Sequence, residues 1–230
     1  MIESPLIEDI APFFDENELY KYLQIKRVEK IPQDILQRIE GYKKEAIGLL
    51  EPIAVIKEFT DFELVDGGIK IDDYVINSNI LSKISQKAKS VYIFILTIGN
   101  KLESRVKEYF DSGSLFAAYV VDALGSVYVE AVAEFIMKKI EINISRDGFL
   151  LTARYSPGYC DINILNQRNL FNLLKTENTI VSLNESSQMS PEKSISGIFF
   201  KMPEDIAAEY KKYFLFCSEC TTKECRYFKR

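Results

Sequence analysis

The sequence predicts an α+β fold in which a mixed, mainly antiparallel twisted sheet packs against helices. Two observations carry this. Segments of helical and strand periodicity follow one another without the regular alternation that a doubly wound parallel sheet needs. Short, partly alternating stretches on either side of Gly67-Gly68 read as strands of a hairpin, not of a crossover unit. The chain can also bury a sizeable core, since 47% of its 230 residues are hydrophobic against 27% charged.

Taken in order, Pro5, Pro12 and the Phe13-Phe14 pair predict an extended arm and then a short helix. Pro32 opens a helix over 33–50, where Ile35, Leu36, Ile39 and the apolar cluster at 46–50 recur at helical spacing, and Pro52 stops it. Residues 53–76 read as short antiparallel strands. Ser78 caps a short helix reaching about residue 88, and 90–98 is a strongly apolar strand. Gly99-Asn100 turns this strand into a charged amphipathic helix that ends near Asp111. The longest helical pattern covers 114–140, mainly apolar but with Asp122, Ser126, Glu130 and Glu134 at i, i+4 spacing, hence on one stripe. On spacing alone that stripe is either the solvated edge of a core helix or a row of carboxylates facing a ligand across a cleft. A turn and strand follow over 146–152, then a loop rich in Pro, Gly and Tyr over 153–161. The remainder reads as a helix over 164–174, a strand over 179–183, a polar loop over 188–194, a strand over 195–200 and a helix over 204–213. Three stretches result: a lead-in over 1–98 belonging to the same domain, a core over 99–213, and a cysteine-rich tail over 214–230.

Composition excludes several kinds of chemistry. There is no histidine, so His-based acid–base catalysis, Ser-His-Asp and Cys-His nucleophiles and imidazole metal ligation are all absent. The net charge of −5, with both signs interspersed, offers no basic face for a phosphate backbone, which points away from nucleic acid. The densest unbroken apolar runs, 91–96 and 115–121, are too short to span a bilayer, and the acidic start lacks the pattern of a secretion signal. A cytoplasmic protein with no membrane partner is expected.

Cys217, Cys220 and Cys225 form a C-x-x-C-x4-C run near the end of the chain, with Cys160 the one other cysteine. Thiolates at this density suit zinc, an iron–sulfur cluster or a redox dithiol, and a metal reading needs a fourth ligand. A metal that only ties down the terminus and a redox-active electron carrier both remain open.

Arg154-Tyr155-Ser156-Pro157-Gly158-Tyr159 places a planar cationic fork, a Pro-Gly turn and an aromatic directly after a strand. Pro157 presets φ and Gly158 admits positive φ, so a tight turn is expected whose backbone can come close to a ligand. Arg154 suits a carboxylate, and Tyr159 offers a flat face with a hydroxyl tip. A plain surface turn satisfies the same residues.

The Arg-x-x-x-Gly-Tyr loop resembles the S-adenosylmethionine-binding loop of the activation domain of cobalamin-dependent methionine synthase. Downstream, Glu185-Ser-Ser-Gln-Met-Ser-Pro-Glu-Lys-Ser-Ile-Ser-Gly-Ile-Phe-Phe200 is similar to that family's Ser-x-x-Met-x-Pro-x-x-Ser-Val-Ser-Gly region, and upstream Val129-Glu-Ala-Val-Ala-Glu134 is similar to a helix lining the same pocket. These three blocks fall in the family's order. Gly158-Tyr159-Cys160-Asp161 is shorter than the synthase's segment and lacks its Cys-Pro-Asp proline, a form that resembles free-standing relatives beside corrinoid methyltransferases. The resemblance implies an activation-domain fold and S-adenosylmethionine as ligand. Arg154 would meet the ligand carboxylate, Ser156 and Gly158 would offer backbone contacts, Tyr159 would pack beside the ligand, and Glu130 would face its cationic end. The implied role is reductive methylation of oxidised cob(II)alamin held by a separate partner. That partner is a corrinoid-binding protein or a methionine synthase lacking its own activation domain, and a flavoprotein or ferredoxin supplies the electron. An interaction module with a vestigial pocket, or an electron carrier built on the cysteine tail, are the alternatives.

Overall fold

The structure, a computed structural model, describes residues 2–175 and 181–211. The chain opens with β1 (Ile2–Glu3), α1 (Ile7–Ile10), α2 (Glu16–Tyr22) and α3 (Gln33–Ile47). The carboxylate of Asp15 caps α2 by accepting from the Asn17 and Glu18 amides. Strands β2 (Ile53–Phe59), β3 (Glu63–Val65), β4 (Gly68–Ile71) and β5 (Tyr74–Asn77) follow, then α4 (Asn79–Ser85), β6 (Ser90–Thr97), α5 (Lys101–Asp111) and α6 (Leu115–Ile144). The chain then passes through β7 (Phe149–Leu151), α7 (Asn166–Leu174), β8 (Ser182–Leu183), β9 (Met189–Ser190), β10 (Ser194–Pro203) and α8 (Glu204–Tyr210).

The main sheet has the order β1-β2-β6-β10-β7, and every neighbouring pair is antiparallel. The fold is therefore α+β, as the lack of alternation implied. The stretch 53–76 divides in a way its pattern did not show. β2 joins the main sheet alongside β6, while β3, β4 and β5 form a separate three-stranded sheet turning at Gly67. The polar stretch 188–194 contains β9, which pairs with β8 across a short hairpin. The expected strand over 179–183 is seen from Ser182, and the last helix is described as far as Tyr210.

β6 is buried along its whole length because both faces of the main sheet are covered. One face carries Tyr92, Phe94, Leu96 and Phe199 against α6, α3 and the amino-terminal helices. The other carries Val91, Ile93, Ile198 and Phe200 against α4, α7 and the small sheet. Tyr92 and Phe199 stack across adjacent strands with centroids 5.1 Å apart.

α6 is the spine of the first layer. Its 30 residues run for about 45 Å, four residues past the predicted end, and 15 of them are buried. By length and composition the stretch Leu115–Asp147 could cross a membrane, yet 67% of its most apolar window is buried inside the fold. It is packed as the core helix of a globular domain. Gly125 permits this packing: a Cβ there would lie 2.8 Å from Leu102 on α5 and 3.1 Å from the stem of Lys193.

Candidate functional site

The site is built where the edge of the main sheet meets the polar stripe of α6. β7 pairs with the end of β10 through Leu151 and Lys201, and the ladder continues past β7 as Thr152 lies opposite Phe200. There the Phe200 amide donates to the Thr152 hydroxyl, at 3.0 Å, instead of to a carbonyl. The next pairing is Tyr155 with Ile198, each amide donating to the other's carbonyl at 2.8 Å. Two residues, Ala153 and Arg154, thus oppose the single Phe199. This β-bulge breaks the inward–outward alternation and turns Arg154 toward α6.

Arg154 is thereby sunk into the interface, with its side chain only 9% exposed. Its Nη2 donates to Glu130 Oε2 at 2.7 Å and to Glu134 Oε1 at 3.0 Å, and those glutamates are 42% and 46% exposed. A guanidinium this deep needs anionic partners to offset its lost hydration, and residues one helical turn apart supply two on the same face. The carboxylates keep access to solvent, so the surface over the buried guanidinium is acidic.

The same stripe holds a second, parallel arrangement. Lys193, just before β10, has a side chain 13% exposed and donates to Asp122 Oδ1 at 2.7 Å and to Ser126 Oγ at 3.0 Å. All four residues of the polar stripe are therefore engaged by two cations from the sheet side. The stripe is a charged seam between helix and sheet whose carboxylates stay about half exposed to solvent. Among the described residues, three carboxylates meet two cations here, one negative charge in excess.

The aromatic loop continues from the bulge. Ser156 and Tyr159 close the predicted turn, the Tyr159 amide donating to the Ser156 carbonyl at 3.2 Å with Gly158 at φ 90°. The Gly158 amide donates to the Ile162 carbonyl at 2.8 Å, which folds the loop back on itself. Tyr159 is half exposed, and Ile164 and Leu165 beyond it are also exposed. The structure thus brings Glu130 and Arg154 into direct contact and sets Ser156, Gly158 and Tyr159 on the turn that follows. Glu134 and Lys193 belong to the seam as well. Glu134 was visible in the i, i+4 stripe, whereas Lys193 lies inside the 185–200 block that carries the resemblance but is not marked there as a site residue. Cys217, Cys220 and Cys225 lie outside the described residues, and among the described residues no group of three or more Cys, Asp or Glu side chains could hold a metal ion.

An antiparallel sheet with a long buried helix, and a bulged strand edge presenting an arginine to glutamates on that helix, define an α+β domain with a candidate ligand site and no metal centre among the described residues. The chain matches the family described as vitamin B12 dependent methionine synthase, activation domain, over residues 69–215. It belongs to that family. Its fold is similar to that of a crystal structure of the MetH reactivation domain bound to AdoHcy, with a TM-score of 0.69 and 19% identity, covering 89% of this chain and 78% of that one. No curated protein matches the chain.

Proposed function

We propose that the chain binds S-adenosylmethionine in the acidic opening above Arg154 and serves as methyl donor in the reductive methylation of an oxidised corrinoid on a separate protein. The observation that carries this reading is the Arg154–Glu130–Glu134 cluster beside the Pro-Gly turn, in a chain of the activation-domain family. The ligand has one carboxylate, an ammonium and a sulfonium, and so one net positive charge. A buried guanidinium suits the first group, and a seam with a net negative charge suits the other two. Tyr159, half exposed at the rim, would cover an apolar or aromatic part of the ligand. The MetH reactivation domain crystallised with AdoHcy supports the same class of ligand.

Within this reading the side chains bind and orient, and they move no proton. Arg154 holds the carboxylate end, Glu130 and Glu134 hold the cationic end, and the loop leaves the sulfonium methyl facing outward by position. The corrinoid, presented by its partner, supplies the nucleophile after one-electron reduction by a flavoprotein or ferredoxin. The methyl group would pass to the reduced corrinoid as the S–CH3 bond breaks, and S-adenosylhomocysteine would leave with the sulfur's electron pair. The partner is a corrinoid-binding protein or a methionine synthase without its own activation domain. The order β2-β6-β10 in one hydrogen-bonded sheet supports reading the lead-in to residue 98 as part of the same unit as the core.

Calorimetric titration of S-adenosylmethionine into the wild type and Arg154→Ala tests the proposal. Removing a buried cation that pairs with a carboxylate should weaken binding by about a hundredfold or more. The glutamates left behind are half exposed and can hydrate, so the melting temperature should fall by only about 2–4 °C. Equal affinity in both proteins would overturn the assignment of Arg154, and no binding by the wild type, alone or with a corrinoid protein, would overturn the function.

A further inference from the structure

Asp161 stands two residues past Tyr159, and its carboxylate leaves the loop to bind another part of the fold. Oδ1 accepts from the Ser78 hydroxyl at 2.5 Å, while Oδ2 accepts from the backbone amides of Asn79 at 2.7 Å and Ile80 at 3.2 Å. The Ser78 hydroxyl in turn accepts from the Leu81 amide at 3.0 Å, and Ser78 is buried. Amides at the start of a helix lack intrahelical acceptors, so an anion satisfies them well. The first turn of α4 is therefore filled by a carboxylate more than 80 positions away in sequence. α4 itself is rigidly seated, with Ile80, Leu81 and Ile84 buried in the core between the small sheet and the main sheet.

The loop is also seated on the body of the protein by Tyr155 and Ile162, both buried in the core on that face of the sheet. Tyr155 fixes its start on β10, and the bonds Tyr159 to Ser156, Gly158 to Ile162 and Ile162 to Tyr159 are all internal to it. An internal network sets the shape of a turn but not its place on the domain. Cys160, between Tyr159 and Asp161, has φ 55°, a conformation unfavourable for a side chain with a Cβ, and the Asp161 tether faces α4 from that bend.

We infer that Asp161 is a positioning residue for the ligand loop: its clamp on Ser78, Asn79 and Ile80 holds the Ser156–Tyr159 turn at the height where it meets a ligand seated on Arg154. The ligand part of this inference rests on the reading given under Proposed function. The small β3–β5 sheet then acquires a part in binding, because it and α4 form the post to which the loop is tied. Fixing a loop in its bound arrangement raises affinity by removing the entropy of ordering it, without adding a contact to the ligand.

The test combines S-adenosylmethionine titration with amide hydrogen exchange on the full chain carrying Asp161→Ala, Asp161→Asn or Ser78→Ala. Asp161→Ala should weaken binding by about tenfold, a difference of about 1.4 kcal/mol. Exchange should quicken at Gly158 and Ile162 as well as at Asn79 and Ile80. Asp161→Asn keeps one carbonyl acceptor in the same shape and should recover part of both signals, and it also serves if the alanine variant folds poorly. If exchange rises only at Asn79 and Ile80 while Gly158, Ile162 and the affinity stay as in the wild type, Asp161 merely caps α4 and the inference is wrong. If the wild type binds no S-adenosylmethionine the function fails, yet exchange at Gly158 and Ile162 still decides whether Asp161 positions the loop.

Discussion

Gly197 lies on β10 directly beneath the bulge, and replacing it with alanine probes how closely the ligand loop rests on the sheet. A Cβ built there would stand 2.9 Å from the Tyr155 carbonyl oxygen and 2.9 Å from Phe94 Cε1. Ordinary contact begins about half an ångström further out. Neither neighbour can yield cheaply. The Tyr155 carbonyl is locked by the Ile198 amide at 2.8 Å, and Phe94 is 2% exposed and packed against Phe199. Overpacking of this kind costs about 1–3 kcal/mol, which for a domain of this size lowers the melting temperature by roughly 2–12 °C. The easiest relaxation is an outward shift of the loop at Tyr155, which moves Arg154 away from Glu130 and Glu134, so S-adenosylmethionine affinity should fall together with stability. Gly41 supplies the control. It sits inside α3 with nothing within 4 Å of a built Cβ, so Gly41→Ala should raise stability by about 0.5–1 kcal/mol through helix propensity alone. Differential scanning calorimetry with parallel ligand titration measures both variants. A Gly197→Ala protein that melts within about 1 °C of wild type and binds as well would show that the loop does not rest on the sheet as described.

Glu130→Gln and Glu134→Gln keep the side-chain shape while removing charge. Each should weaken S-adenosylmethionine by about tenfold but S-adenosylhomocysteine, which lacks the sulfonium charge, by less; competition calorimetry gives the ratio, and equal losses would mean the glutamates serve only Arg154. Tyr109 donates to Glu45 Oε2 at 2.6 Å, and that hydrogen bond, with burial second, pushes its pKa up to about 12. The unfolded chain ionises it near 10 and so binds fewer protons than the native state above that pH. Its contribution to stability should be complete below pH 10 and disappear between pH 10 and 12. Denaturant titrations over that range should show a shallower loss in Tyr109→Phe.

Local chemistry made much of this fold legible. Pro32, Ser78 and Gly99-Asn100 each start or break an element within a few residues of where the structure does, because caps and breakers act through their own backbone. What could not be read were the decisions made by distant partners. β2 looks like one more hairpin strand, but its apolar face finds more burial beside β6 than with β3. The bulge at Ala153 and Arg154 exists only against β10, some 45 residues on, so sequence could flag an arginine in a loop but not its descent toward α6. The stripe on α6 was visible, while its meaning depended on Lys193 and Arg154 arriving from the other side. Asp161 was visible in the loop, and its role waited on Ser78.

α6 serves at once as the keystone of the hydrophobic layer and as one side of the proposed ligand site. Val129, Ala131, Val132 and Ala133 are pressed into the core while Glu130 and Glu134, among the same six residues, keep access to solvent. The cleft consequently has no softness of its own on that side. The backbone that carries its carboxylates is held by the core behind them, and a helix that must slide to reshape the site would have to unpack the protein. Adaptation to a partner therefore falls to the opposite lip, where the turn at Gly158 and the exposed Tyr159, Ile164 and Leu165 can yield without disturbing the wall they face.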